Sequence, residues 1–400
     1  MAANEPESLL FSGLRVVDCA SVIAAPAAAL VLADFGADVV KIETPEAGDM
    51  LRMLSNIPTT PDVAGESDPD NGWFWQLDGR NKRSLVLDLK RSAAREALYR
   101  LIAESDVFIC NQPYDQREKF GITWEDLQPL NPRLIYASLT AYGEHGAERE
   151  RKGFDQLAYW SRSGLMDLMR APDTQPTQGL PGMGDHPTGI ALYAGIVTAL
   201  LQRERTGKGG FVHTSLLANG LWSAAGIAQG ALAGGDMESY RETNRVNTAM
   251  LRVYEASDGR FLMFNMVRNE ELLALLLAAL DALDLLGDER FASPELMWEH
   301  RAEFGDELQQ RISTRTSDEW LGTFAEYSLP VNRVALVEES LTDAQVHANR
   351  IAMAPDADSE IELPYLLNHP IQISSVPHAP HRRAPRLGEH SNQILTELGF

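Results

Sequence analysis

The stretch FSGLRVVDCASVIAAPAAALVLADFGADVVKIETPEAGDMLR, residues 11–52, decides the fold class. Two short apolar runs with β-branched residues, LRVVDCA at 14–20 and ADVVKIE at 37–43, flank an alanine-rich segment at 27–35 that opens after Pro26. Strand, helix and strand in so short a span is the unit of a parallel sheet whose crossovers are helices. The same alternation continues outward. Strands are predicted at SLVLDL (84–89), DVFICN (106–111), RLIYASL (133–139) and FVHTSLL (211–217), with helices at 92–104 and 124–130. The first half therefore predicts an open, doubly wound, Rossmann-like α/β domain. Its first turn, ASVIAAPAAA, lacks the Gly-x-Gly-x-x-Gly that lets a pyrophosphate rest on the following helix, which argues against a dinucleotide dehydrogenase. P-loop, Gly-x-Ser-x-Gly and His-Glu-x-x-His patterns are absent as well.

At 400 residues the chain is too long for one ordinary core, and its character changes after Asn219. A small-residue segment, SAAGIAQGALAGG, leads to MLRVYEASDGRFLMFNM, where Asp258-Gly259 between apolar runs predicts a hairpin. A leucine-rich helix at 270–286 and further amphipathic helices follow, as in a small α+β domain. The expected division is a large α/β domain at 1–219, a small α+β domain at 220–330 and a return segment at 331–400, whose last helix, SNQILTELGF, docks on the large domain. The Pro-, Asp- and Ser-containing insertion at 58–72 reads as an exposed loop.

Composition narrows the partners. A formal net charge of −22 argues against nucleic acid and against an anionic membrane surface. No stretch is long enough and free enough of charge to span a membrane, and the N-terminus lacks the basic start of a signal peptide. Cys19 and Cys110 form neither a disulfide framework nor a metal-spaced cluster, so a reducing cytoplasm and no metal are expected. In this acidic chain Lys41, Arg80, Lys82, Arg83, Arg117 and Lys119 gather near predicted strand ends, as an anion site would require.

One carboxylate stands apart. In QGLPGMGDHPTG, residues 178–189, Asp185 sits among four glycines and two prolines just ahead of a helix predicted over 188–203. Glycine permits close approach and Pro fixes φ, so the loop is shaped yet open. Asp185 is placed either to cap that helix or to serve a site.

Seven ordered blocks resemble the class III CoA-transferases, the CaiB/BaiF family. They are the opening stretch, GRNKRSLVLDLK (79–90), LNPRLIYASLTAYGEHG (130–146), GFDQLAYWSRSGLM (153–166), PGMGDHPTG (181–189), RERTGKGGFVHTSLLANGLW (203–222) and APRLGEHSNQILTELGF (384–400). The resemblance implies a large CoA-binding α/β domain with a small domain, in an interlocked homodimer, and it puts the catalytic aspartate at Asp185. Coenzyme A enters as the acyl-CoA substrate and no cofactor is tightly bound. The CoA arm is implied at Ser21, Val22, Ala24, Asn81, Lys82, Asn111, Lys119 and Tyr142, where Lys119 replaces an arginine frequent in relatives and loses its bidentate fork. Thr44 replaces a residue that is basic in some relatives.

The implied chemistry is transfer of CoA between a thioester and a free carboxylic acid. Asp185 attacks the acyl-CoA carbonyl to give an anhydride and CoA thiolate, and the thiolate then converts the anhydride to an aspartyl-CoA thioester. The incoming carboxylate attacks that thioester, and the returning thiolate completes the exchange. Backbone N–H groups of the glycine loop are expected to stabilise the tetrahedral oxyanions. Ile23, Phe154, Gly184 and His186 are the expected substrate contacts. Asp-His in this loop and an apolar Ile23 resemble the branch acting on 2-hydroxy acids and arylacrylates, and disfavour oxalate or formate. Two alternatives remain: a 2-methylacyl-CoA racemase, whose Gly-His-Asp aligns with Gly153-Phe154-Asp155, and a silent scaffold subunit. Phe154 cannot accept a proton, which argues against the first, and retention of Asp185 argues against the second.

Overall fold

A computed structural model describes residues 9–54, 70–171, 174–244, 249, 252–264 and 270–400. Most of the insertion expected at 58–72 lies outside the described residues. Six parallel strands form the main sheet: β1 (Arg15–Asp18), β2 (Asp38–Glu43), β3 (Lys82–Val86), β4 (Val107–Cys110), β5 (Ile135–Thr140) and β6 (Gly210–Ser215), in the order β3-β2-β1-β4-β5-β6. This order reverses between β1 and β4, so a crevice opens beyond their carboxyl ends, where ligands of open α/β sheets bind.

Successive strand residues alternate between two cores, as a sheet buried on both faces requires. Val16, Val39, Val107, Ile109 and Ile135 pack under α1 (Ala24–Asp34) and a later helix, Asp185–Thr206. Val17, Val40, Phe108, Cys110 and Tyr136 pack on the other face. That face is covered by α3 (Ser92–Ala103), which follows α2 (Trp73–Gly79), and by α5 (Trp124–Leu127), which follows α4 (Tyr114–Phe120). The C-terminal helix Ser391–Glu397 also belongs there, burying Ile394 beside Leu85 and Leu98, with Arg83 donating to Glu397.

α6 (Leu165–Leu168) precedes α7 (Asp185–Thr206), which begins one turn earlier than the predicted 188. Pro187 suggests a boundary in the sequence, but it occupies the first turn, where a missing N–H breaks no intrahelical bond. α7 lies close on α1 because residue 189 is glycine: a Cβ there would stand 2.5 Å from the Ala24 carbonyl oxygen.

The chain divides into two units. Met1–Arg170, Pro176–Gln229 and Ala344–Phe400 form the first, and Ala171–Gln175 with Gly230–Asp343 form the second. The breaks fall at 229/230 and 343/344, later than the 219/220 and 330/331 expected. Two local causes account for this. α8 (Leu216–Ser223), capped by Ser215, stays on the first unit, where Ser223 Oγ meets Tyr159 Oη at 2.6 Å. Val331–Arg333 pairs antiparallel with Phe261–Phe264, and so stays with the second unit. There the predicted hairpin joins Val253–Glu255 to Phe261–Phe264 around Asp258-Gly259, over a core of Tyr254, Phe264, Phe304, Trp320 and Phe324.

Candidate active site

Asp185 is the first residue of α7, and its side chain does not cap the helix; the cap position is Gly184. The residue is 8% exposed, and its carboxylate has no hydrogen bond or ion pair to any described residue. Burial, with Asp155 adding repulsion, lifts its pKa to about 7, while His186 pulls the other way. A buried carboxylate without a donor is costly, and such sites persist where chemistry needs them.

The turn that carries Asp185 is held from two sides. Asp155 Oδ2 accepts the N–H of Gly182 at 2.9 Å and of Gly184 at 3.2 Å, and its Oδ1 accepts from Gln156 at 2.8 Å. On the other side the Gly182 carbonyl accepts the N–H of Asp185 at 3.1 Å and of His186 at 3.2 Å. The His186 ring lies with Nδ1 3.3 Å from that same carbonyl and Nε2 3.3 Å from Asp78 Oδ1. Gly184 is required by proximity, since a Cβ there would stand 2.6 Å from the Tyr159 ring. Ile23 is buried, and a Cβ at Gly182 would stand 3.5 Å from its Cδ1. Phe154 is 56% exposed.

One expectation is corrected. The backbone N–H groups of Gly182, Met183, Gly184, Asp185 and His186 all have acceptors within the protein: Asp155, the Leu180 carbonyl, Asp155 again, and the Gly182 carbonyl twice. In this conformation residues 182–186 offer no free N–H to an oxyanion.

The first loop, at the carboxyl end of β1, stands on a buried ion chain. Lys82 Nζ meets Asp18 at 2.9 Å, Asp18 meets Lys41 at 3.6 Å, and Lys41 meets Asp49 at 2.7 Å. Asp49 Oδ1 accepts the N–H of Val22 at 2.9 Å, holding this β-branched residue at φ 66°, a conformation it adopts only under constraint. Asn111 clasps the same loop across the crevice, accepting from Ser21 N–H at 3.0 Å and donating to the Ser21 carbonyl at 2.7 Å.

The residues expected along the CoA arm therefore separate. Ser21, Val22 and Ala24 form the loop and helix start at the crevice, and Asn111 holds them. Tyr142 is half-buried and packs against Gly153, and Lys119 is exposed with no ion partner among the described residues. Asn81 and Lys82 differ from the expectation: both are buried, and their side-chain bonds lie within the protein. Asn81 donates to Asp34 and accepts from Arg382 N–H, while Lys82 donates to Asp18 and to the Pro26 carbonyl. Apart from Lys119, the clustered basic residues are likewise paired, Arg80 with Asp34, Arg83 with Asp38 and Arg117 with Glu144, so they do not form an open anion site. Asp78, Asp155 and Asp49 are the site-building residues that the sequence did not assign. Asp155 stood beside Phe154 in the motif, but nothing local linked Asp78 to His186.

Among the described residues no group of three or more His, Cys, Asp or Glu could hold a metal, and no helix is long and apolar enough to cross a membrane.

Comparison with known proteins shows the family. Residues 11–391 match the profile of CoA-transferase family III. The chain is 30% identical over 392 residues to (R)-2-hydroxy-4-methylpentanoate CoA-transferase of Clostridioides difficile, covering 98% of this chain and 96% of the relative. It is also 30% identical over 398 residues to cinnamoyl-CoA:phenyllactate CoA-transferase of Clostridium sporogenes, covering 99% and 95%. The crystal structure of a CaiB/BaiF family protein from Brucella suis superposes with a TM-score of 0.81 at 30% identity, covering 98% of this chain and all of that one. The chain belongs to CoA-transferase family III.

Proposed function

We propose that this enzyme moves CoA between an acyl-CoA and a medium-sized carboxylic acid, a 2-hydroxy acid or arylacrylate, with Asp185 as the covalent nucleophile. The observation that carries the reading is the Asp185 carboxylate itself, buried, without a donor among the described residues and carried by a hydrogen-bonded turn. Deprotonated Asp185 attacks the acyl-CoA carbonyl, breaking the C–S bond and giving a mixed anhydride plus CoA thiolate. The thiolate attacks the aspartyl carbonyl, releasing the first acid and leaving an aspartyl-CoA thioester. The acceptor carboxylate displaces thiolate from that thioester, and thiolate attack on the acceptor's carbonyl in the new anhydride regenerates Asp185. A near-neutral pKa suits the residue both as nucleophile and as leaving group.

Substrate class is supported by buried, apolar Ile23 beside the turn and by the names of the two relatives, both of which act on 2-hydroxy acids. No cofactor is required beyond the CoA of the substrate. Racemisation is not part of this reading: Phe154 carries no proton, and both oxygens of Asp155 already accept backbone N–H bonds.

The working form is an interlocked homodimer. In support, α9 (Ala225–Leu232, AGIAQGAL) is apolar yet has no buried residue, with Trp222 before it 78% exposed and Leu232 84% exposed, a surface that a second copy would cover. Two buried free thiols suit a reducing cytoplasm. The test is to supply the purified enzyme with a panel of acyl-CoA donors and of hydroxy, aryl and dicarboxylic acids, read by mass spectrometry. Transfer to 2-hydroxy or arylacrylic acids, lost in Asp185→Ala, is the expected result. Preference for a dicarboxylic acid would move the substrate class, and transfer by Asp185→Ala would overturn the mechanism.

A further inference from the structure

His186 is bonded to two acceptors at once, the Gly182 carbonyl at Nδ1 and Asp78 Oδ1 at Nε2. A neutral imidazole carries one N–H and can donate to only one of them; the doubly protonated ring donates to both, adding a third donor to a carbonyl that already accepts the N–H of Asp185 and His186. Asp78 makes the same demand from its side. Its side chain is wholly buried, and its Oδ2 has no hydrogen-bond partner among the described residues. A carboxylate so placed, if its one bonded cation were lost, would keep only the unbonded charge of Lys82 to offset its burial. Asp78 is fixed in turn by α2, which the C-terminal segment ties down: Trp75 Nε1 donates to the Pro385 carbonyl, and Gln76 accepts from the N–H of Ala384.

We infer that Asp78 and His186 are a positioning pair for the reaction, a buried anion and a cation that grip the carbonyl of Gly182 and so fix the turn carrying the Asp185 carboxylate. The inference rests on Asp185 being the nucleophile. The turn is then clamped by opposite charges on opposite sides: Asp155 takes its N–H groups, and His186 takes its carbonyl. Removing either clamp leaves the turn that leads into Asp185 with its backbone bonds alone.

The pair also sets the charge beside the nucleophile. The charges facing His186 are Asp78 from α2 and Asp185 from its own helix, and Asp78 is itself faced by Lys82 of β3. The His186 side chain is 40% exposed, so its burial, which works against the imidazolium, is only partial, and the Asp78 carboxylate outweighs it and raises the ring's pKa to about 9. The His186 cation in turn favours ionised Asp185 against the repulsion of Asp155 and Asp78. His186 is therefore a fixed cation over the working pH range and not a proton shuttle.

The experiment has two arms. In the first, the full-length protein carrying isotope-labelled histidine is titrated by NMR, the His186 signal being the one missing from His186→Gln. The expected result is a doubly protonated ring up to about pH 9 in the wild type, falling below 7 in Asp78→Asn. A wild-type ring titrating near its ordinary value would overturn the pair whether or not the protein transfers CoA. In the second arm, Asp78→Asn and His186→Gln are expected to lower kcat about ten-fold or more, with KM for acyl-CoA nearly unchanged, because the nucleophile is misplaced rather than the CoA. Asp78→Asn should also gain a loss of rate on the alkaline side near pH 6.5 that the wild type lacks. Asp78→Glu, which keeps the anion, should recover part of the rate. Unchanged kcat and an unchanged pH profile in both variants would sink the proposal, while activity surviving Asp185→Ala would sink the mechanism beneath it and leave the NMR arm standing.

Discussion

Asp18 and Asp185 are both buried carboxylates in the first unit, and they are in opposite states. Asp18 lies between two ammonium groups, Lys82 at 2.9 Å and Lys41 at 3.6 Å, and despite complete burial these hold its carboxyl below the ordinary range. Asp185 meets no donor, and burial pushes it up to about 7. The lesson is that burial alone does not decide what a charge is for. Paired burial gives a fixed post under a strained loop; unpaired burial, with the backbone pinned by other residues, leaves a group free to react.

The comparison breaks most readily at Lys82. Lys82→Met removes the closer partner of Asp18, and the protein should lose about 3–5 kcal/mol of stability, the usual cost of leaving one member of a buried pair alone. Urea unfolding at neutral pH checks this. Wild-type stability would mean that the ion chain is ornamental and that the contrast with Asp185 is empty.

At Asp185 the sign reverses. A carboxyl raised from 3.8 to about 7 in the folded state contributes stability that is fully present below 3.8 and is lost as pH rises through 7. Asp185→Asn should therefore be more stable than wild type at pH 8 by up to about 4 kcal/mol, the upper bound from roughly three pKa units at 1.36 kcal/mol each. The gap should close toward pH 4. An Asn variant no more stable at pH 8 would show that the site carries no such tension.

A third buried set sharpens the rule with the opposite charge type. His369 and His378 lie against Phe35 with their rings stacked at 5.0 Å, His369 comes within 4.0 Å of Asp34, and His381 feels the same carboxylate. Burial lowers all three, His369 to about 4, against the pull of Asp34. The unfolded chain binds these protons first, so stability falls as pH drops from about 6.5 to 4, by up to about 3 kcal/mol for His369 alone. His369→Gln should flatten that slope in urea midpoints taken across the window, and a slope unchanged by the substitution would contradict it.

The smallest expected effect is on the profile of the reaction. Removing the Asp155 charge with Asp155→Asn should move the acid limb of kcat/KM, set by Asp185, to lower pH by less than about one unit. A shift to higher pH would assign Asp155 a different role.

Much of this could be read from residues alone, and what could not has a common cause. All six strands of the main sheet stand where β-branched runs and turn residues put them, because strand periodicity is local. The Asp185 turn was legible from its glycines. What the turn does with its N–H groups was not, because their acceptor, Asp155, lies 27 residues away from Gly182. Basic residues near strand ends suggested an anion site, yet Lys82 answers an aspartate 64 residues distant and Arg80 one 46 distant. The Asp78–His186 pair spans 108 residues. Charges advertise themselves in a sequence; their partners are chosen by topology.

The central claim is that Asp185 carries the acyl and CoA groups in turn, and its most direct test is chemical capture during turnover. The enzyme is mixed with acyl-CoA and acceptor acid, quenched with hydroxylamine, digested and mapped by mass spectrometry. The account predicts a hydroxamate on Asp185 alone, formed only when acyl-CoA is present. Full turnover with an unmodified Asp185 peptide, or capture at another carboxylate, would contradict it.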